Sequence, residues 1–489
     1  MIEFVIGAVV LLLAVAYFRS SRHKNLPPGP PGLPFAGHIL EFTKDPPFKK
    51  FMEWSKKYGD TIMVYMGNQY PMVVMHDYDT MKKAFNEEVN AGRDQRFLFN
   101  DFFQGHGLII SQGDLWKEHR RFAISTLRDF GMGKTWLEDN IIAEVEDMCA
   151  VLRKQNKQPF DPKTLLSHSV SNVICALVFG KRFAHTDAKF TKLASLFAEN
   201  VRITGPTTQV IQTFPFLQYI PGRFRNSIKH AWKNIYELYG FAKHLIDEHQ
   251  NKFSSEEVDD YIDAFIKEGK KQQEKGVVNS TFTDKQLVTS VLNLFAAGTE
   301  TTSTTTLWSL VFLIENPEVM RKMQKEIDDN IPRDRPVRMD DKGLLPYTEA
   351  AILEVQRCAS LVPIGVLHQT LADTVIDGYT VPKGTLLAPN LYSIHHDPRY
   401  WKNPDKFDPT HFLDASGKVT HPTGFAPFQV GKRSCLGEAL AKMELYLFIS
   451  NIVKNFNLEN APGKKVSHED YVASIVLAPA PYKIVFVPR

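Results

Sequence analysis

Cys435 lies in the run FAPFQVGKRSCLGEAL, Phe425 to Leu440, and is one of only four cysteines in 489 residues. Gly431 and Gly437 allow a tight turn around it, so that backbone N–H groups can point at the sulfur. Residues 436–456 read as a helix, which sets a positive helix N-terminus beside Cys435. Both features favour thiolate over thiol. A free cysteine is usually a small buried hydrophobe. A place between Arg433 and two glycines is wrong for one.

Three further constellations carry chemically capable groups at meaningful spacing. Glu354 and Arg357 are three apart on a helix predicted over residues 348–360, so they share a face. Such a pair is ordinarily a surface ion pair, but Ala351, Ile352, Leu353, Val355 and Cys358 around it point to burial, where further hydrogen bonds are required. Trp116 and Arg120 are four apart and offer an indole N–H and a guanidinium side by side, suited to a carboxylate or phosphate. The third is AAGTETTSTTT, Ala296 to Thr306. Glycine and clustered threonines are mediocre helix formers. They leave room for something flat to approach the backbone, or for a neighbouring helix to pack closely, and threonine hydroxyls bonding back to carbonyls bend a helix.

The elements that must position these groups follow from caps and periodicity. Thr283 and Gln286 form a capping box, and Asn316-Pro317 ends the helix they start. The helix between runs about 32 residues, roughly 48 Å at 1.5 Å per residue, enough to cross the body. A helix over residues 46–58, a strand pair over 61–76, a polar loop over 268–280, strands near 373–388 and a terminal strand in YKIVFV complete a mainly α chain with a small β portion. Net charge is +3, which gives no reason to expect nucleic-acid binding. Cys149, Cys175, Cys358 and Cys435 show no zinc spacing and make a poor disulfide framework, as expected in a reducing compartment.

Residues 4–18 are uncharged, short against the ~20 of a spanning helix. No small-residue cleavage site follows, and the basic residues Arg19, Arg22 and Lys24 lie after the run. These features predict a single N-terminal membrane anchor over residues 1–24, with the body in the cytosol. LPPGPPGLP within 25–34 is a stiff hinge, and 35–489 is the catalytic domain. The sequon at Asn279 would then never meet the glycosylation machinery.

FQVGKRSCLG resembles the heme-binding loop of cytochromes P450. In the same chain order, AGTETT (residues 297–302) resembles the family's oxygen-pocket motif, Glu354–Arg357 its ExxR and Trp116–Arg120 its WxxxR. The likeness covers the whole chain and is nearest to the clan of microsomal animal enzymes that includes family 2. It implies the cytochrome P450 fold behind a single transmembrane anchor, with heme b ligated by Cys435 and housed by Phe428, Gly431 and Gly437. Trp116, Arg120, His368 and Arg433 are implied at the propionates. Thr301 and Glu300 are implied in proton delivery, with Gly298 leaving room for oxygen. One departure is His411, where the family often has an arginine completing a triad with Glu354 and Arg357; histidine titrates near neutrality.

The likeness further implies a monooxygenase of the endoplasmic reticulum membrane that hydroxylates or epoxidises a fatty acid, terpenoid, steroid or xenobiotic. Electrons are implied to come from NADPH through cytochrome P450 reductase, with cytochrome b5 as a second partner, across a cationic face of Lys117, Arg121, Arg128, Lys432 and Lys442. Substrate contacts are expected at Phe99, Phe102, Phe103, Ile109, Phe295, Ala297, Val362, Val366, Val476 and Leu477, nearly all apolar. A dedicated epoxidase of methyl farnesoate, a heme-thiolate isomerase needing no external electrons, and a heme-binding sensor are the competing readings. Retention of Glu300 and Thr301 argues against the last two.

Overall fold

The structure, a computed structural model, describes Gly7, Val9 and residues 25–489 apart from 34–35, 44, 68–70, 96–99, 131–134, 186, 205–209 and 212–213. The anchor expected over residues 1–24 therefore lies outside the described residues, save Gly7 and Val9. Among the described residues no helix is long and apolar enough to cross a membrane. The proline-rich stretch does not stand off from the body. Its Pro28 carbonyl accepts from Met63 N–H at 2.8 Å, and a Cβ at Gly29 would come within 1.9 Å of the Met63 carbonyl oxygen, so only glycine lets the stretch lie so close.

Helix α1 (Pro47–Tyr58) starts on a proline, where no helical N–H is lost. It packs Phe51 and Trp54 against Ile62 and Val64 of β1 (Thr61–Tyr65), which pairs antiparallel with β2 (Pro71–Met75). Asp77 caps α2 (Tyr78–Asn86) by accepting from Thr80 N–H at 2.8 Å. The helical part follows: α3 (Asn100–Phe103), α4 (Gly113–Asp129), α5 (Thr135–Arg153), α6 (Lys163–Phe179), α7 (Ala188–Thr204), α8 (Arg223–Lys252), α9 (Tyr261–Glu274) and α10 (Asp284–Glu315). Then come α11 (Pro317–Asn330) and α12 (Pro346–Ala359). The strands β3 (His368–Gln369), β4 (Thr374–Ile376), β5 (Tyr379–Val381) and β6 (Leu386–Pro389) lead to the short α13 (Leu391–His395). After the cysteine loop, α14 (Glu438–Asn455) runs into β7 (Phe456–Asn460), β8 (Tyr471–Ala473), β9 (Leu477–Pro479) and β10 (Ile484–Pro488). The main sheet has the order β1-β2-β6-β3, with β2 and β6 parallel.

The long central helix begins and ends where its caps place it, at Thr283 and Asn316. Thr283 accepts from Gln286 N–H at 3.2 Å, but the Gln286 side chain does not return to the cap. It pairs with Gly107 instead, accepting from its N–H at 2.8 Å and donating to its carbonyl at 3.3 Å, so a tertiary contact has taken half of the capping box. The polar loop expected over 268–280 is helical to Glu274. Asp260 caps α9 through Asp263 N–H at 2.9 Å, and Lys, Glu and Gln sustain a helix once it is started. α10 and α14 are apolar around most of their circumference and bury their central positions among α5, α6 and α12.

Candidate functional site

The cysteine loop is built on backbone hydrogen bonds. Cys435 N–H donates to the Phe428 carbonyl at 3.0 Å and Ser434 N–H to the Gly431 carbonyl at 3.1 Å. Gly431 has φ +82°, and a Cβ there would lie 2.3 Å from the Phe85 carbonyl oxygen, so the loop presses against the end of α2. Burial pushes the Cys435 thiol up, while the Gly437 N–H aimed at the sulfur and the nearby Arg120 pull it down. Cys435 is nonetheless solvent-accessible. A group set deep among protein atoms yet accessible borders an interior space, not the outer surface. α14 begins three residues later, so its positive end faces that space as expected.

Around this loop lies a cluster of cations. Arg433 is 5% exposed, stacks its guanidinium 3.8 Å above the Trp116 ring and donates to the carbonyls of Ala91 and Ser111. Arg120 donates to the Ser434 carbonyl at 2.6 Å, tying α4 to the loop. His368, on β3, stacks on Phe85 at 3.9 Å and donates from Nδ1 to the Asn90 carbonyl. Arg93 was not singled out from the sequence. It bonds the carbonyls of Ile109, Val366 and Leu367, and so gathers three segments around the same space. An isolated loop arginine has no spacing signal to announce it. Among the described residues, none of Arg93, Arg120 and Arg433 has a carboxylate at ion-pair distance. Arg433 Nη1 is buried without a partner among the described residues, and His368 Nε2 has only the Gln429 side chain near it. Burial and mutual repulsion push Arg93 and Arg433 down, and burial pushes His368 well down. Arginine keeps its proton at working pH, so Arg93 and Arg433 carry buried positive charge with no carboxylate partner among the described residues. A flat group with two carboxylates on one edge fits such a cradle, and a thiol beside the cradle fits its metal.

On α10, Thr301 Oγ1 donates back to the Ala297 carbonyl at 2.7 Å, and Ser303, Thr305 and Thr306 bond back in the same way. Ala297 is exposed in the middle of a helix buried at most positions, so it borders an open space. The reading of Gly298 as room for oxygen is corrected. A Cβ at Gly298 would meet Ile174 Cδ1 at 2.4 Å, so its missing side chain serves close packing on α6. Among the described residues no side-chain hydrogen bond joins Glu300 to Thr301, whose hydroxyl is given to Ala297. Burial raises its carboxyl pKa, and its neighbours are Lys163 and Thr304, one turn further on.

The Glu354–Arg357 pair is buried at 0% exposure on both sides. Arg357 donates Nε and Nη2 to Glu354 at 2.7 Å each, and Nη1 to the carbonyls of His395 and Pro404 at 2.7 and 2.8 Å. His411 completes the group, Nδ1 at 3.1 Å from Glu354 and Nε2 at 2.6 Å from the Lys402 carbonyl. Both partners are acceptors, so the ring bonds both only when doubly protonated. Burial alone would lower its pKa, but the Glu354 hydrogen bond and charge outweigh that and raise it.

The cytochrome P450 family model matches residues 27–486. The chain belongs to the cytochrome P450 family. It is 40% identical to Cytochrome P450 2H2 of Gallus gallus over 482 residues, 98% of this chain and 96% of the relative. It is 40% identical to Cytochrome P450 2C8 of Homo sapiens over 492 residues, 98% and 99% of the two chains. With Cytochrome P450 2B4 of Oryctolagus cuniculus the figures are 37%, 497 residues, 100% and 99%. The protein is therefore a monooxygenase with heme as its prosthetic group, served by NADPH through a reductase.

In this cytochrome P450 the expected substrate contacts fall into separate groups. Ile109 and Val366 are exposed at 38% and 42% and are held together by Arg93; Gln429 of the cysteine loop also bonds the Val366 carbonyl. Leu477 N–H donates to the Leu361 carbonyl at 2.8 Å, and its own carbonyl accepts from Trp308 of α10. Val476, beside it, is buried, and Val362 is half-buried. Phe102 packs against Phe103, Trp232, Tyr236 and Tyr239, and Phe295 against Phe197, so their rings meet other aromatics. Phe99 lies outside the described residues. On the surface near the loop, Lys117 and Lys432 both pair with Glu88, and Lys442 pairs with Glu438 at 2.7 Å. Arg121 and Arg128 line the depression beside them.

Proposed function

We propose that the protein inserts one oxygen atom from O2 into a lipophilic substrate, by hydroxylation or epoxidation, with Cys435 as the axial thiolate of a heme. The observation that carries this reading is the buried cation cradle around Cys435, with no carboxylate among the described residues at ion-pair distance to balance it. When bound, heme supplies oxygen activation at an iron whose electron density the thiolate raises.

The chain's own groups then have distinct tasks. Arg93, Arg120 and Arg433 hold the propionates with His368 beside them, whose Nε2 donates only if a second proton joins the ring along with the anion. The Gly437 N–H, aimed at the Cys435 sulfur, tempers the thiolate's charge. Thr301 spends its proton on the Ala297 carbonyl, which leaves its oxygen free to accept from a water and order it in the pocket. Glu300 reaches that water only after turning from Thr304, so it acts as a swinging acid. Apolar walls at Ile109, Ala297, Val366 and Leu477 select a greasy ligand over a polar one. Reductase and cytochrome b5 dock on the depression by the cysteine loop. Two of its cations, Lys117 and Lys432, already share Glu88, so among the described residues Arg121 and Arg128 contribute unshared charge. The N-terminal anchor holds the enzyme on the endoplasmic reticulum membrane.

The test is reconstitution with reductase, NADPH and a panel of a fatty acid, methyl farnesoate, a steroid and a drug-like amine. The reading predicts oxygenated product in proportion to NADPH consumed for at least one class. Conversion of a lipid peroxide without NADPH, and no NADPH-dependent product, would overturn it in favour of the isomerase.

A further inference from the structure

Glu444 lies on α14 at 1% exposure, nine residues beyond Cys435. Its Oε2 accepts from Thr302 Oγ1 at 3.1 Å, and its Oε1 is buried without a partner. No cation pairs with it among the described residues. Of the elements packed against α14, namely α5, α10, α11, α12, β7 and the turn at 339–344, α10 alone among the described residues hydrogen-bonds the carboxyl, through Thr302. A buried, unpaired carboxylate costs several kcal/mol or more, so such a group keeps its proton. Burial accordingly pushes its pKa up to about 8.

Thr302 stands out within its own run. Thr301, Ser303, Thr305 and Thr306 each return a hydroxyl to the carbonyl four residues back. Thr302 instead donates across to α14. The bond therefore pins the turn that carries Thr301 and Ala297 to the helix that follows the cysteine loop.

We propose that Glu444 is a positioning residue. As a neutral acid it fixes, through Thr302, the height of Thr301 above the cysteine loop, and so keeps reduced oxygen on the path to product. This rests on the monooxygenase reading above. Ionisation of Glu444 would strengthen the Thr302 bond but place a desolvated charge between the two helices, which draws water in and loosens that turn.

The test compares the full-length, heme-loaded protein with Glu444→Gln, Glu444→Leu and Thr302→Val. Two readouts are used: the infrared carbonyl stretch of a buried carboxylic acid, and the fraction of NADPH electrons lost to hydrogen peroxide across pH 6.5 to 9, about the folded pKa. The acid band is expected in the wild type and in Thr302→Val, and absent from both Glu444 variants. Peroxide loss should rise roughly threefold in the wild type as pH passes the folded pKa, stay flat in Glu444→Gln, and be high at every pH in Glu444→Leu and Thr302→Val. An acid band that survives in Glu444→Gln, or a pH step in peroxide loss that persists there, would overturn the proposal. The carbon monoxide spectrum of each variant reports thiolate ligation separately, so failure of the Cys435 reading would not be mistaken for failure of this one.

Discussion

Arg357 and Arg433 are both buried arginines, and they are buried on opposite terms. Arg357 spends its donors on Glu354, two carbonyls of the following segment and the Lys406 carbonyl, within a ring that His411 closes. Arg433 has two carbonyls and an indole face, a neighbouring arginine that repels it, and one nitrogen with no partner. The first is a finished structural network. The second we propose to be half of an interaction whose other half is an anion. Partner accounting, rather than burial or charge, separates a residue that holds the fold from one that holds a ligand.

The comparison can be broken by removing each arginine. Arg357→Leu leaves the buried Glu354 with His411 and the Asp408 N–H as partners, and should cost about 3–5 kcal/mol in the apo-protein, read by chemical denaturation. Arg433→Leu should change apo-protein stability by under about 1 kcal/mol, because lost carbonyl bonds offset the relief of uncompensated charge. Its heme should leave to an excess of a heme-scavenging globin about 10- to 100-fold faster, the worth of one charge-assisted bond. Equal destabilisation by both substitutions would erase the distinction.

Heme removal sharpens the same contrast with a smaller, regional effect. Hydrogen exchange should speed up at residues 91–93, 109–111, 366–368 and 428–437, which border the cradle, and change little at 354–360 and 395–412. The smallest effect is the pH response of His411. Its folded pKa is raised above the unfolded value, so its stabilisation is fully present below about pH 6.5 and is lost as pH rises through the folded value. The denaturation midpoint of the wild type should fall over that window relative to His411→Arg, whose charge does not titrate.

What the sequence made legible follows the same division. Local signals placed α10 between Thr283 and Asn316, α12 around Glu354 and Arg357, and the cysteine loop at 425–437, because caps, prolines and glycines act over a few residues. Glu354–Arg357 was ambiguous by spacing alone, and its burial came from α12 and the 404–411 segment closing over it. Arg93 was illegible, since its function is its position among Ile109, Val366 and Arg433, which only the tertiary fold creates. Gly298 was misread because a mid-helix glycine looks the same whether a helix or a ligand comes close. The run 268–274 became helix because Asp260 caps it from outside the stretch that looked like a loop.

The most direct test of the account is the carbon monoxide spectrum of the reduced, heme-loaded protein beside that of Cys435→Ser. The account predicts the strongly red-shifted band of thiolate-ligated iron in the wild type and its loss in the variant. A red-shifted band that persists in Cys435→Ser, or a wild type that lacks it, would contradict Cys435 as the ligand and the cation cradle as the seat of the heme.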